Sequence, residues 1–339
     1  MSPSYDVICI GAGPTGLACA IEAKRAGMRP LVIDKGCLCN SLYHYPANLV
    51  FFTTAERMEI GDLPMTTAGS KPTRVEALKY YRKAAEHFGL ETRLYETVEG
   101  REVRNGKFLI RTISASGERH EYPAKKLILA TGYYDRPNLL GIAGEELPHV
   151  SHYFTDSHPF WEKDVVVIGA KNSAAEAALE LFRAGARVTL VHRGRELGRT
   201  LKYWVRPDIE NRIRAGEIQA LFHARPIRIE QHQIVIRDGA GERAIPAFQI
   251  FAMTGYQPDF EFIERFGVCL DPDSRKPECD PETLESNVPG IYLAGVVVGG
   301  RHTSEIFIEN GRFHGKQIIR AITGAGAPLG PAPVSPPGE

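Results

Sequence analysis

The first run of apolar residues, Val7–Ile10, is hydrophobic on both faces, as an interior parallel strand is. A glycine-rich turn from Gly11 to Gly16 follows, then a helical stretch, Leu17–Ala26, that Gly27 ends. Leu31–Asp34 reads as a second strand with an acid at its end. Further on, Thr73–Phe88 shows helical periodicity and Gly89 stops it. Strands are predicted near Lys107–Ile113 and His120–Tyr122, and at Lys126–Ala130 running into Thr131 and Gly132. The pattern of the first sixty residues then starts again. Val165 opens a new apolar run, Arg187–Arg193 supplies its second strand, and Gln249–Gly255 another. Gly290–Gly295 is the last apolar strand, and a helix is expected from about Ser304.

Two strand–turn–helix–strand units half a chain apart predict an α/β protein with two Rossmann-like (three-layer ββα) nucleotide-binding domains. The simplest arrangement is an insertion: residues 1–150 begin the first domain, 151–259 form the second, and 260–323 complete the first. A Gly/Ala/Pro-rich tail, 324–339, is expected to be disordered.

A length of 339 residues suits two domains. Lys plus Arg (41) equals Asp plus Glu (41), which speaks against nucleic acid or an anionic membrane as partner. No apolar stretch is long enough to span a bilayer, and no charged leader precedes the first strand, so a cytoplasmic location is expected. The six cysteines, at 9, 19, 37, 39, 269 and 279, form no CxxC pair, so neither a thioredoxin-type redox pair nor a two-CxxC zinc site is available, and no metal is expected.

Candidate chemistry concentrates at the two turns. In the first, Gly11 permits the tight turn, Gly13 lets a pyrophosphate approach the backbone, and Gly16 lets the helix pack on the strand. Asp34, 23 residues after Gly11, is placed for ribose hydroxyls. In the second, Gly169 opens the turn but Lys171 replaces the middle glycine, where it can meet a phosphate directly. The second strand there ends not in an acid but in His192-Arg193-Gly194-Arg195, which suits a 2′-phosphate and predicts NADPH over NADH. Ala130-Thr131-Gly132 and Ala294-Gly295 put small residues at strand ends, where a bulky cofactor can lie. Ser304, Glu305 and Ile306 open the expected helix, whose N–H groups would face a flavin pyrimidine ring. Cys37-Leu38-Cys39 is the candidate redox pair near the cofactor cleft, against a plainer reading as two free thiols.

From residues 5 to 320 the chain resembles the thioredoxin-reductase-like pyridine nucleotide-disulfide oxidoreductases, and among them the bacillithiol disulfide reductase group. The resemblance rests on Ser41-Leu-Tyr-His44-Tyr-Pro46, Phe51-Phe52, Ile60-Gly-Asp62, Lys71-Pro-Thr-Arg74, Gly169-Ala-Lys-Asn172-Ser173-Ala174, Thr254-Gly255-Tyr256 and Ile306-Phe-Ile-Glu309-Asn-Gly311. It implies FAD held by Gly11, Gly13, Pro14, Thr15, Gly16, Asp34, Lys35, Ser41, His44, Ala130, Thr131, Gly132, Gly295, Ser304, Glu305 and Ile306. It implies NADPH held by Gly169, Lys171, Asn172, Ser173, Ala174, His192, Arg193, Thr254 and Gly255. It further implies a homodimer or homotetramer that reduces a low-molecular-weight disulfide or a small redox protein. One position departs: Thr15 stands where the group carries a cysteine. Acceptor reduction straight from the flavin, use of Cys37 or Cys39, or a different acceptor would each accommodate it. Ferredoxin or flavodoxin reduction, flavin monooxygenation (loosely suggested by Phe154–Trp161), and redox sensing without turnover stand as alternatives.

Overall fold

The computed structural model describes residues 4–324. They fall into two compact units. The first comprises residues 4–44, 48–136 and 256–324, and the inserted one 45–47 and 137–255. The crossings thus lie earlier than expected at both ends. Val150–Ser151 pairs with the strand Gln249–Ala252 and so belongs to the inserted unit. Residues 256–259 belong to the first unit, where the Asp259 side chain caps the helix Phe260–Arg265.

In the first unit a parallel sheet runs in the order Thr92–Arg93, Pro30–Ile33, Tyr5–Ile10, Arg119–Leu129 and Ile291–Leu293. The long strand Arg119–Leu129 joins the parallel and antiparallel parts of one seven-stranded sheet. Its second half pairs with Tyr5–Ile10, and its first half with the antiparallel hairpin of Glu96–Arg104 and Lys107–Ser114. The sequence reads it as two strands because Pro123-Ala124-Lys125 interrupts the apolar pattern; the interruption falls where one partner is exchanged for the other. Along Tyr5–Ile10 the side chains alternate. Ile8 and Ile10 join Phe108, Ile110, Phe262 and Phe266 in one core. Val7 and Cys9 join Cys19, Ala20, Ile318 and Ile319 in the other. Helix, parallel sheet and antiparallel layer are the three layers expected.

The inserted unit repeats the plan. Its parallel sheet runs Gln219–Leu221, Arg187–Val191, Asp164–Ile168, Gln249–Ala252, Val150–Ser151. The helix Asn172–Arg183 covers one face, with Ala174, Ala175, Ala178 and Leu181 buried. The antiparallel strands Arg225–Glu230, Gln233–Asp238 and Gly241–Pro246 cover the other, through Ile229, Ile234, Ile236 and Ile245.

Two expected elements move. The first helix starts at Pro14, inside the glycine turn. The helix expected from Ser304 starts at Ile308, because the Asn310 side chain accepts from Phe307 N at 2.7 Å and caps the backbone there. Of the expected disordered tail only Gly324 lies within the described residues; its φ of +68° ends the helix His314–Thr323.

A Cβ on Gly16 would sit 1.9 Å from the Gly11 carbonyl oxygen. Gly16→Ala should therefore destabilise the protein by about 1–3 kcal/mol or more. Thermal unfolding would test this; an unchanged midpoint would mean the turn relaxes freely.

Candidate functional site

The first turn is built from backbone in contact with backbone. Gly11 has φ +115°, and a Cβ there would lie 2.2 Å from the Ala130 carbonyl oxygen. Gly13, the residue before the helix Pro14–Arg25, is the opposite case: a Cβ there meets nothing within 4 Å. Asp34 closes the turn. Its carboxylate accepts from Ala12 N at 2.7 Å and from Gly36 N at 2.8 Å. Burial pushes its pKa up, and these two amides oppose the rise.

Beside this turn lies a cavity of about 250 Å³ lined by Gly11, Asp34, Lys35, Thr131 and Gly132. Five of the residues expected to hold FAD therefore meet in one place. The Thr131 hydroxyl is buried there without a hydrogen-bond partner, a cost that a ligand would relieve. Lys35 pairs with Asp135 at 2.9 Å on the rim.

The rest of the wall was not legible from the motif. Val98 and buried Glu96 come from a strand of almost wholly polar sequence, and Thr112 Oγ1 donates to the Glu96 carboxylate. Arg136 binds Asp259 through Nε (3.1 Å) and Nη2 (2.7 Å), and both residues line the cavity. The one signal for these was the acid and base, Asp135-Arg136, separated from Gly132 by two residues.

Ser41, His44, Gly295, Ser304, Glu305 and Ile306 do not line this cavity. Glu305 lies in irregular chain and pairs with Lys276 at 3.0 Å. Thr15 packs on two glycines: a Cβ on Gly295 would lie 3.2 Å, and one on Gly311 3.0 Å, from Thr15 Oγ1. Gly295 N donates to His314 Nδ1 at 3.0 Å, which fixes the neutral ring with its proton on Nε2. Burial lowers the His314 pKa to about 4.

The thiols of the first half of the chain are all raised. Cys9, Cys19 and Cys39 are buried and their pKa values are pushed up by burial. Cys37 is raised as well, by burial and by the charge of Asp34. Cys37 and Cys39 are both free, and the Cys37 thiol points to Asn40 Oδ1 at 3.6 Å. Burial, and next to it the charge of Asp34, disfavours the thiolate at both members of the candidate pair.

In the inserted unit Gly169 has φ +137°, and a Cβ there would lie 2.6 Å from Met253 O, so Thr254 and Gly255 follow directly beside the turn. Thr254 Oγ1 donates to Asn138 O at 2.5 Å. Lys171 and Ser173 are exposed and Ala174 is buried at the start of the helix. The strand Arg187–Val191 ends one residue before His192. The His192 pKa is lowered by burial and then by Arg193, which is exposed. Arg195, read with Arg193 from the sequence, and Arg199, which the sequence reading did not single out, meet at one carboxylate: Arg195 Nε lies 3.8 Å and Arg199 Nε 3.7 Å from Glu196 Oε1. Their spacing of four was visible in the sequence but carried no periodic signal. Among the described residues no helix is long and apolar enough to cross a membrane.

Two nucleotide-type turns in two ββα units define an oxidoreductase class. Residues 8–295 match the model of the pyridine nucleotide-disulphide oxidoreductase family, and the chain belongs to that family. It is 44% identical over 317 residues to bacilliredoxin reductase Bdr of Bacillus subtilis (strain 168), covering 93% of this chain and 96% of that protein. It superposes on bacillithiol disulfide reductase Bdr from Bacillus cereus with a TM-score of 0.92 at 41% identity, over 95% of this chain and 99% of that one. A ferredoxin–NADP reductase of Ignicoccus hospitalis is 27% identical, over 86% of this chain and 89% of that one.

The unfolded chain protonates His314 near pH 6.5 and the folded chain near 4. Stability contributed by the neutral ring is therefore complete above pH 6.5 and lost as the pH falls towards 4, by on the order of 3 kcal/mol. Urea unfolding at pH 7, 5.5 and 4.5 should show a steeper loss for the wild type than for His314→Gln. Parallel losses would show that His314 does not titrate this way.

Proposed function

We propose that this chain is an NADPH-dependent, FAD-containing reductase of low-molecular-weight disulfides of the bacillithiol type. The observation that carries the reading is the cavity of the first unit. There Asp34, fixed by two amides, and Thr131, whose hydroxyl lacks a partner, share one wall, and Gly13 in the adjoining turn has open space beside it. The donors and acceptors suit the adenosine half of FAD. Ribose hydroxyls donate to Asp34. The pyrophosphate passes Gly13 to meet the free N–H groups of the helix that begins at Pro14, with Thr15 and Gly16 in its first turn.

Lys35 and Gly132 complete the rim, with Ala130 behind them. Ser41, His44, Gly295, Ser304, Glu305 and Ile306 stay assigned to the rest of the flavin by family likeness. Gly169, Lys171, Ser173, Ala174, Thr254 and Gly255 form the turn proposed for NADPH. His192, Arg193 and the newly placed Arg199 face its 2′-phosphate.

FAD supplies the two-electron carrier between donor and acceptor when bound. Over one turnover NADPH, a proton and one disulfide RSSR become NADP⁺ and two thiols RSH. With Thr15 a hydroxyl and the Cys37 and Cys39 thiols raised, neither of these positions is written into this balance. The lower identity of the ferredoxin reductases sets that alternative behind disulfide reduction. Assembly as a homodimer or homotetramer in the cytoplasm belongs to the same proposal.

Anaerobic mixing with NADPH should bleach the flavin absorbance, and a bacillithiol-type disulfide should restore it, with Cys37→Ser within about twofold of wild type. Bleaching that no small disulfide reverses would overturn disulfide reduction; loss of reoxidation in the serine variant would return Cys37 to the chemistry.

Arg193→Glu should raise the KM for NADPH at least about tenfold and leave that for NADH nearly unchanged. Equal losses for both nucleotides would remove the 2′-phosphate from this site.

A further inference from the structure

Asn172 was expected among the residues that hold NADPH, and in the structure both ends of its amide bind a neighbouring loop. Nδ2 donates to Thr200 O at 3.3 Å and Oδ1 accepts from Lys202 N at 2.9 Å. Both ends of one side chain thus clasp the backbone of a single loop. Three more bonds hold the same loop. Gly198 N donates to Ala170 O at 2.8 Å, inside the nucleotide turn. Lys202 Nζ reaches Glu176 Oε1 at 2.7 Å on the turn's own helix. Arg206 Nη2 donates to Gly198 O at 2.7 Å.

Arg199 is the one residue between the anchors at 198 and 200. Its side chain is 84% exposed, so packing does not place its guanidinium; the fixed backbone does. Arg199 and Arg195 flank Glu196, close in sequence to the Arg193 strand end. We infer that Asn172 is a positioning residue: by clasping residues 200 and 202 it holds Arg199 beside the 2′-phosphate and so sets the preference for NADPH over NADH without touching the nucleotide.

This rests on reading the inserted unit as the NADPH site. The replacement Asn172→Asp removes the donor to Thr200 O and sets a carboxylate against a carbonyl oxygen, so it should break the clasp as Asn172→Ala does. Gly198→Ala loosens the loop from the other side, since a Cβ there would lie 2.9 Å from Ala170 O.

The test is calorimetric binding to the flavin-loaded full chain of two fragments without nicotinamide: 2′,5′-ADP, which carries the 2′-phosphate, and 5′-AMP, which does not. Asn172→Ala and Gly198→Ala should each weaken 2′,5′-ADP about tenfold and 5′-AMP less than about twofold. The NADPH-to-NADH ratio of KM values should rise in step while kcat holds. A merely structural asparagine would weaken both fragments together, and that result overturns the inference. If Arg199→Ala loses the discrimination and both strap variants keep it, the positioning role fails alone. If neither Arg193→Glu nor Arg199→Ala alters it, the 2′-phosphate site itself is wrong.

Discussion

At Gly11 and Gly16 two stretches of backbone come so close that no Cβ fits between them, and the remainder of the first unit is arranged around that contact. The hypothetical Cβ of Gly11 falls on the carbonyl of Ala130, so the turn is pressed against the end of a neighbouring strand. The pressure has a use. It brings the amides of Ala12 and Gly36 onto Asp34 and leaves Gly13 facing open space, so donors converge where an anion can enter. The inserted unit repeats the constraint at Gly169 against Met253 O, although after the shared Gly-Ala the two turns have no residue in common. Steric exclusion, rather than any one favourable bond, makes the two turns alike.

Once the backbone is placed, burial decides the electrostatics. Asp34 is pushed up by desolvation although two amides favour its charge, and His314 is kept neutral because its ring is buried where only Gly295 N addresses it. Around the second turn the balance reverses: Arg193, Arg195 and Arg199 stay in water, where their charge costs little to hold and can be offered to a phosphate. One unit thus recognises by shape and fixed acceptors, the other by exposed cations.

The longer parallel strands were legible because they are almost wholly apolar, and the turns because a glycine opens each, whereas the short parallel strands Thr92–Arg93, Val150–Ser151 and Gln219–Leu221 carry no such run. Glu96–Arg104 escaped notice because only Glu96 and Val98 of its nine residues are buried and the rest alternate charges at the sheet edge. The antiparallel strands of the inserted unit escaped for a like reason, since Gly241–Pro246 buries only Ile245. Site residues followed the same rule. Gly11, Asp34, Thr131 and Gly132 converge as their spacing implies, whereas Arg136 and Asp259 meet across 123 positions that no local pattern links. Ser304 to Ile306 misled because a side-chain cap at Asn310, not apolar periodicity, decides where that helix starts.

Thr15 shows what the chain gives up and how. Its branched side chain fits because Gly295 and Gly311, which face it, both lack a Cβ. A hydroxyl so placed forms no mixed disulfide, and no other residue near the first turn replaces the missing sulfur. Cys37 sits beside the acid that anchors the turn, an environment that disfavours a thiolate, and Cys39 is buried away from water. Burial is the larger cause that raises the Cys37 thiol, and the buried carboxylate that closes the turn adds to it. In such a site binding and protein-thiol chemistry compete for the same few ångströms. This chain resolves the competition in favour of binding, and leaves electron transfer to what is bound.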